Sequence, residues 1–106
     1  MMLNTIAIRL KMIVTKSWQD IHSDHFFQLG IEGGAQIRAE IFMQLIKQCN
    51  QNPSPQSAEK AWGLMMLCFL HFSPGETIEN IVQTFIRDHC PSAIRDLMIK
   101  QCHKSA

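Results

Sequence analysis

The run Ser73-Pro74-Gly75-Glu76-Thr77-Ile78-Glu79-Asn80-Ile81-Val82-Gln83-Thr84-Phe85-Ile86-Arg87-Asp88-His89-Cys90-Pro91 decides the fold class. Its opening reads as a helix start, with Ser73 as N-cap, Pro74 at the first helical position and Glu76 at the third. That is the spacing of a capping box, in which the hydroxyl takes an orphan N–H and the glutamate reaches back. Ile78, Ile81, Val82, Phe85 and Ile86 then recur at helical spacing, so one face is apolar from end to end. Cys90-Pro91 stops the run, because a residue before proline avoids helical dihedrals.

The same punctuation extends in both directions. Downstream, Pro91 opens a short helix with Ile94, Leu97, Met98 and Cys102 on one face. Upstream, Gly33-Gly34 ends one segment and a helix begins near Ala35, its stripe built from Ile37, Ile41, Leu45 and Gln48 and widened by Phe42, Ile46 and Cys49. The polar loop Asn50-Gln51-Asn52-Pro53-Ser54-Pro55 ends it, and Ser54-Pro55 caps the next helix, which runs to about His71. From Trp62 to Phe72 that helix is apolar on almost every side, which places it at the centre of a bundle. Ile6, Leu10, Ile13 and Val14 suit a first helix, although Ile6, Ile8, Leu10 and Met12 would also suit a strand; the all-helical context decides for helix. One short helix is expected around Asp24 to Leu29. The fold class is therefore all-α, a compact single-domain bundle of five to six helices over residues 1–106.

Composition sets bounds on function. The 106 residues are 46% hydrophobic and 18% charged, as in a chain that folds. Ten basic and nine acidic residues leave a net charge of +1, without the basic excess that phosphate neutralisation demands of a nucleic-acid binder. The longest apolar stretch, Leu64 to Phe72, is far short of the roughly 20 residues that span a bilayer, so no membrane insertion is expected. Arg9 and Lys11 interrupt the first apolar stretch, against a signal peptide. Cys49, Cys68, Cys90 and Cys102 sit in helical patterns without a disulfide framework, which fits a reduced, cytoplasmic protein.

Catalytic and metal chemistry find no footing. Cys68 with His71, His89 with Cys90 and Cys102 with His103 invite zinc, but adjacent ligands on a helix point about 100° apart and rarely close one tetrahedron. No glycine-rich phosphate loop follows Gly33-Gly34, and no nucleophile comes with a local signature, so the expectation is a protein with no enzyme activity and no cofactor. Arg87, Arg95, Lys100 and Lys104 gather loosely toward the C-terminus and form a candidate basic surface for a partner. They also motivate an alternative, a small helical nucleic-acid-binding or regulatory protein.

The stretch Ile37-Arg38-Ala39-Glu40-Ile41-Phe42-Met43-Gln44-Leu45-Ile46-Lys47-Gln48, followed by Asn52-Pro53, Ser57 and Trp62, resembles the signature of the myosin tail homology 4 domain. That signature reads roughly Leu-Arg-Asp-Glu-Ile-Tyr, Gln-x-x-Lys-Gln, Asn-Pro and Arg-Gly-Trp. The resemblance covers about residues 5–103 and is most specific over 37–74. Ala39 stands where the family has an acid, and Lys60-Ala61 where it has Arg-Gly. The family domain is commonly longer at its N-terminus, so this chain reads as a divergent and shortened member or a fragment.

The resemblance implies a non-catalytic, cytoskeleton-associated module of the kind found in the tails of unconventional myosins and a plant-type kinesin. Such modules bind microtubules or cargo tails, commonly together with a FERM domain. It marks Arg38, Glu40, Gln44, Lys47, Gln48, Asn52, Pro53 and Trp62 as a signature that is mainly structural. Microtubule binding would be a salt-sensitive contact between a basic surface and acidic tubulin tails.

Overall fold

The computed structural model describes residues 2–50 and 52–105, with side chains from Thr5 onward. Gln51, in the expected loop, lies outside the described residues. The helices are α1 (Met2–Ile13), α2 (Trp18–His22), α3 (Phe26–Glu32), α4 (Gly34–Asn50), α5 (Pro55–His71), α6 (Glu76–His89) and α7 (Ser92–Ser105), with no strand among the described residues. Six are of the expected bundle size, and α2 is a five-residue turn of helix.

Burial settles the first segment. Ile6, Leu10, Ile13 and Val14 are buried whereas Ile8 and Met12 are exposed, a spacing that a helix produces and a strand does not. The region between α1 and α4 holds two helices rather than one. Ser17 caps α2, its hydroxyl accepting from the Asp20 N–H, and the Asp24 carboxylate accepts from the Phe26 N–H at 2.7 Å to start α3. Helix α2 leaves no periodic signal in the sequence, because its only buried residue is Ile21.

The centre is shared by α4 and α5. The first packs on α1, α3, α5 and α6, and the second on α3, α4 and α7. Phe42 of α4 is fully buried, stacked on Phe69 at 5.0 Å and edge-on to Phe72 at 5.7 Å. The central helix is nevertheless amphipathic, because Leu70 is 62% exposed. Ile81 and Leu97, each read as part of a buried face, are both 51% exposed: each lies at the outer edge of its stripe, beyond the reach of a neighbouring helix.

The helix start at residues 73–76 also departs from expectation. Gly75, at φ 92°, is the N-cap of α6, and the helix begins at Glu76. The Ser73 hydroxyl accepts from the Gly75 N–H at 3.0 Å, a turn within the loop rather than a capping box. A positive φ at Gly75 breaks the right-handed path between Ser73 and Glu76, so the reciprocal bonds of the box are not made. The Ser54 cap forms as expected, its hydroxyl accepting from the Ser57 N–H at 3.3 Å with Pro55 in the first turn.

Asp24 ties α1 to α3. Its carboxylate accepts from Lys16 at 2.7 Å and from Arg9 at 3.0 Å, with its side chain only 10% exposed. Burial alone would raise its pKa, but the hydrogen bonds from Lys16 and the Phe26 amide, with Arg9, outweigh it and hold the carboxyl below its ordinary 3.8. The folded form thus binds this proton less tightly than the unfolded chain. Its contribution is fully present above the unfolded pKa and is lost as pH falls through the lowered folded value. Asp24→Asn is expected to cost about 1 kcal/mol at pH 7, a figure kept small because Arg9 and Lys16 remain partly solvated. Urea denaturation checks it: the deficit shrinks toward pH 3, and a deficit independent of pH would contradict the assignment.

Candidate functional site

The helical period sets the signature residues on two sides of α4. Ile41, Phe42 and Leu45 turn into the core, while Gln44, Lys47 and Gln48, at i, i+3 and i+4, form a polar face. Opposite stand Lys11 in the last turn of α1 and Thr15 in the turn after it, and below lie Asn52, Pro53 and Ser57. Together these line an open groove of about 510 Å³. The loop on its floor is shaped by its own side chains, the Asn52 Oδ1 accepting from the Ser54 N–H at 3.0 Å. A second depression, lined by Trp18, Gln56, Glu59 and Lys60, shares Val14, Thr15 and Ser57 with the first and continues it.

The signature divides by role. The Arg38 guanidinium donates through Nε to the Gly30 carbonyl at 2.5 Å and through Nη2 to the Ile31 carbonyl at 2.8 Å, satisfying the last turn of α3. Glu40 accepts from Gln44 Nε2 at 3.0 Å, one turn along α4. Trp62 is 5% exposed and stacks on Phe85 of α6 at 5.3 Å. Arg38 and Trp62 therefore hold the scaffold, while Gln44, Lys47, Gln48, Asn52 and Pro53 converge on the groove.

The groove's far wall is clamped in place by residues that periodicity did not single out. Lys60 Nζ donates to the Lys16 carbonyl and lies 5.9 Å from the centre of the Trp18 ring. Trp18 lies so close over Gly63 that a Cβ there would come within 2.3 Å of Trp18 Cη2. Lys11, which in the sequence only interrupts the first apolar stretch, lines the groove. Only the tertiary pairing of α1 with α4 brings it there.

The C-terminal cations do not form one cluster. Arg95 donates from Nε and Nη2 to the Cys90 carbonyl, at 3.2 and 2.9 Å, and so closes the C-terminus of α6. Lys100 and Lys104 are exposed one turn apart on α7, about 140° around the axis from Arg95 to Lys100. Arg87 is exposed in the last turn of α6. Arg87, Lys100 and Lys104 form no ion pair among the described residues.

The four cysteines are free thiols. Burial pushes Cys49 and Cys68 far up, and raises Cys90 against the opposing charge of Arg95. Burial, with the Glu79 charge, pushes Cys102 up to about 11 despite a hydrogen bond with Gln83. Cys68, Cys90 and Cys102 are buried in the core, and Cys49 packs against it. Among the described residues no group of three His, Cys, Asp or Glu side chains is placed to hold a metal. Among the described residues no helix is long and apolar enough to cross a membrane.

Comparison with known proteins gives this arrangement a context. The high molecular weight form of myosin-1 of Acanthamoeba castellanii is 43% identical over 51 residues, 48% of this chain and 3% of that protein. Unconventional myosin-VIIb of Mus musculus is 35% identical over 72 residues, 67% of this chain and 3% of its own length. The kinesin-like protein KIN-14E of Arabidopsis thaliana is 36% identical over 53 residues, 50% of this chain and 4% of that protein. The chain thus spans only a few hundredths of these relatives' length. No solved structure matches it. The family model of the MyTH4 domain matches residues 24–106, from the carboxylate that opens α3 through the groove floor and α7, and the chain therefore belongs to the MyTH4 domain family.

Proposed function

We propose that residues 1–106 act as one non-catalytic docking domain of a cytoskeletal motor tail, working in the cytoplasm on the cytoskeleton. Its partners on this reading are microtubules or cargo tails, engaged jointly with a FERM domain. The observation that carries the reading is the family match over residues 24–106, beside the similarity of about half the chain to proteins named as a myosin and as a kinesin-like protein. Arg87, Lys100 and Lys104, exposed and without an ion pair among the described residues, support a contact with an acidic polymer surface.

Co-sedimentation with microtubules at low and at physiological salt tests the partner. Pelleting is expected at low salt and is expected to weaken as salt rises, since exposed charge pairs are screened over about 8–10 Å. The combined variant Arg87→Glu, Lys100→Glu and Lys104→Glu is expected to stay in the supernatant. Failure to pellet at either salt overturns the microtubule assignment.

A further inference from the structure

We propose that Ser54 is a phosphorylation site, the substrate of a proline-directed serine/threonine kinase that draws its phosphoryl group from a nucleoside triphosphate. The inference goes beyond the docking reading and does not rest on it. The chain holds two Ser-Pro dipeptides, Ser54-Pro55 and Ser73-Pro74, and no threonine precedes a proline. The dipeptide alone does not choose between them, but the fold does. Pro53, Pro55 and Gln56 are exposed around Ser54, whereas Pro74 is buried, as are Phe72 before it and Ile78 after it. A kinase of this class takes the residue before proline in extended backbone and grips the proline ring itself. Ser54 already has that backbone, at φ −95° and ψ 116°, because a residue before proline is kept out of the helical region. The ring of Pro55 is open to be gripped, and that of Pro74 is not.

The hydroxyl is also free to react. Ser54 Oγ accepts from the Ser57 N–H at 3.3 Å, and its own O–H donates to no group among the described residues. In the transfer Ser54 Oγ bonds to the γ-phosphorus, the bond from that phosphorus to the β–γ bridging oxygen breaks, and the nucleoside diphosphate leaves. The hydroxyl proton passes to the catalytic carboxylate of the kinase. The product suits its place in the fold. A phosphoserine at the N-cap still offers an acceptor to the Ser57 N–H, and it sets a charge of about −1.5 to −2 at the positive end of α5. Asn52 and Ser57, on either side of it in the chain, line the groove to which Lys11 and Lys47 also contribute and no aspartate or glutamate does. The phosphate thus meets no carboxylate on that side, and its charge offsets that of the two lysines. Ser54 is on this account a switch for the charge at the mouth of the groove.

The test incubates the 106-residue chain with a purified proline-directed kinase and magnesium ATP, and locates the phosphate by mass spectrometry of proteolytic fragments. One phosphate is expected, on Ser54, with incorporation at Ser73 at least about tenfold lower because its proline is reached only by local unfolding. Synthetic peptides covering residues 50–60 and 70–80 are both expected to be modified, since neither keeps the fold that covers Pro74. Ser54→Asn retains a side-chain cap, so it is expected to keep the circular dichroism of the parent and to lose the phosphate on this segment. Pro55→Ala is expected to lower incorporation at least about tenfold, as the proline that the kinase grips is gone. The phosphorylated chain is expected to melt about 2–5 °C higher than the parent. Absence of phosphate on Ser54 in the folded chain overturns the proposal, and so does equal incorporation at Ser73. Undiminished incorporation in Pro55→Ala overturns the class of kinase. A lowered melting temperature overturns the account of the product as a cap on α5.

Discussion

Trp62→Ala is expected to cost about 3–5 kcal/mol of folding stability. The indole is 5% exposed, sits in the first half of α5 and stacks on Phe85 of α6 at 5.3 Å, with a 16° angle between the rings. Its removal forfeits the transfer of a large aromatic surface and leaves a cavity at the junction of α5 and α6, which rigid helices fill only in part. A domain of this size holds a total of roughly 5–15 kcal/mol, so the variant would be close to unfolding at physiological temperature. Urea denaturation reads the loss directly, and a double-mutant cycle with Phe85→Ala is expected to show a coupling of about 0.5–1.5 kcal/mol. A cost below about 1 kcal/mol would mean that the stack is not what holds α6 to the core.

Gly30→Ala carries the second large effect, and its sign decides between two accounts. Gly30 lies within α3, where alanine is better by about 0.8–1 kcal/mol on helix propensity alone. Packing says the opposite. A Cβ on Gly30 would come within 2.2 Å of Phe72 Cε2 and 2.3 Å of Cζ. Phe72 cannot simply swing away, because it is buried and meets Phe42 edge-on at 5.7 Å. Helix α3 would have to move off α5, and its tie to Arg38 through the Gly30 and Ile31 carbonyls resists that shift. Overpacking of this kind costs about 1–3 kcal/mol or more, so a net loss of about 1–2 kcal/mol is expected. Adding Phe72→Leu is expected to make the alanine cheaper than it is in the parent, which thermal denaturation of the four chains would show. A stabilised single variant would show that Phe72 yields and that propensity wins.

These two residues mark how far the sequence was legible. Trp62 announces itself, as a large apolar residue near the start of a helix that is nearly all apolar. Gly30 does not, since nothing local says that a phenylalanine 42 positions away lies against it. The same contrast runs through the candidate site. Gln44, Lys47 and Gln48 share a face by the period of α4 alone, and the Asn52 and Ser54 turns follow from side chains that bond their own backbone. Lys11 and Trp18 join them only because α1 folds back across the end of α4.

Sequence by itself determined the all-helical class, the five longer helices and most of their ends, for a physical reason. Periodic apolar residues, prolines and serine caps act within a few positions of one another, where chain order is geometry. It also carried the signature that places the chain in its family. Tertiary structure alone decided which faces were covered. It left Ile81, Leu97 and Leu70 exposed on stripes that periodicity would have buried, and it turned Ser73 from a cap into a loop bond by setting Gly75 at positive φ. Tertiary structure also put Arg95 to work closing α6, and brought two lysines 36 positions apart to line one groove. Such outcomes depend on which helix lies beside which. That arrangement is set by the packing of the whole core, and no window of sequence contains it.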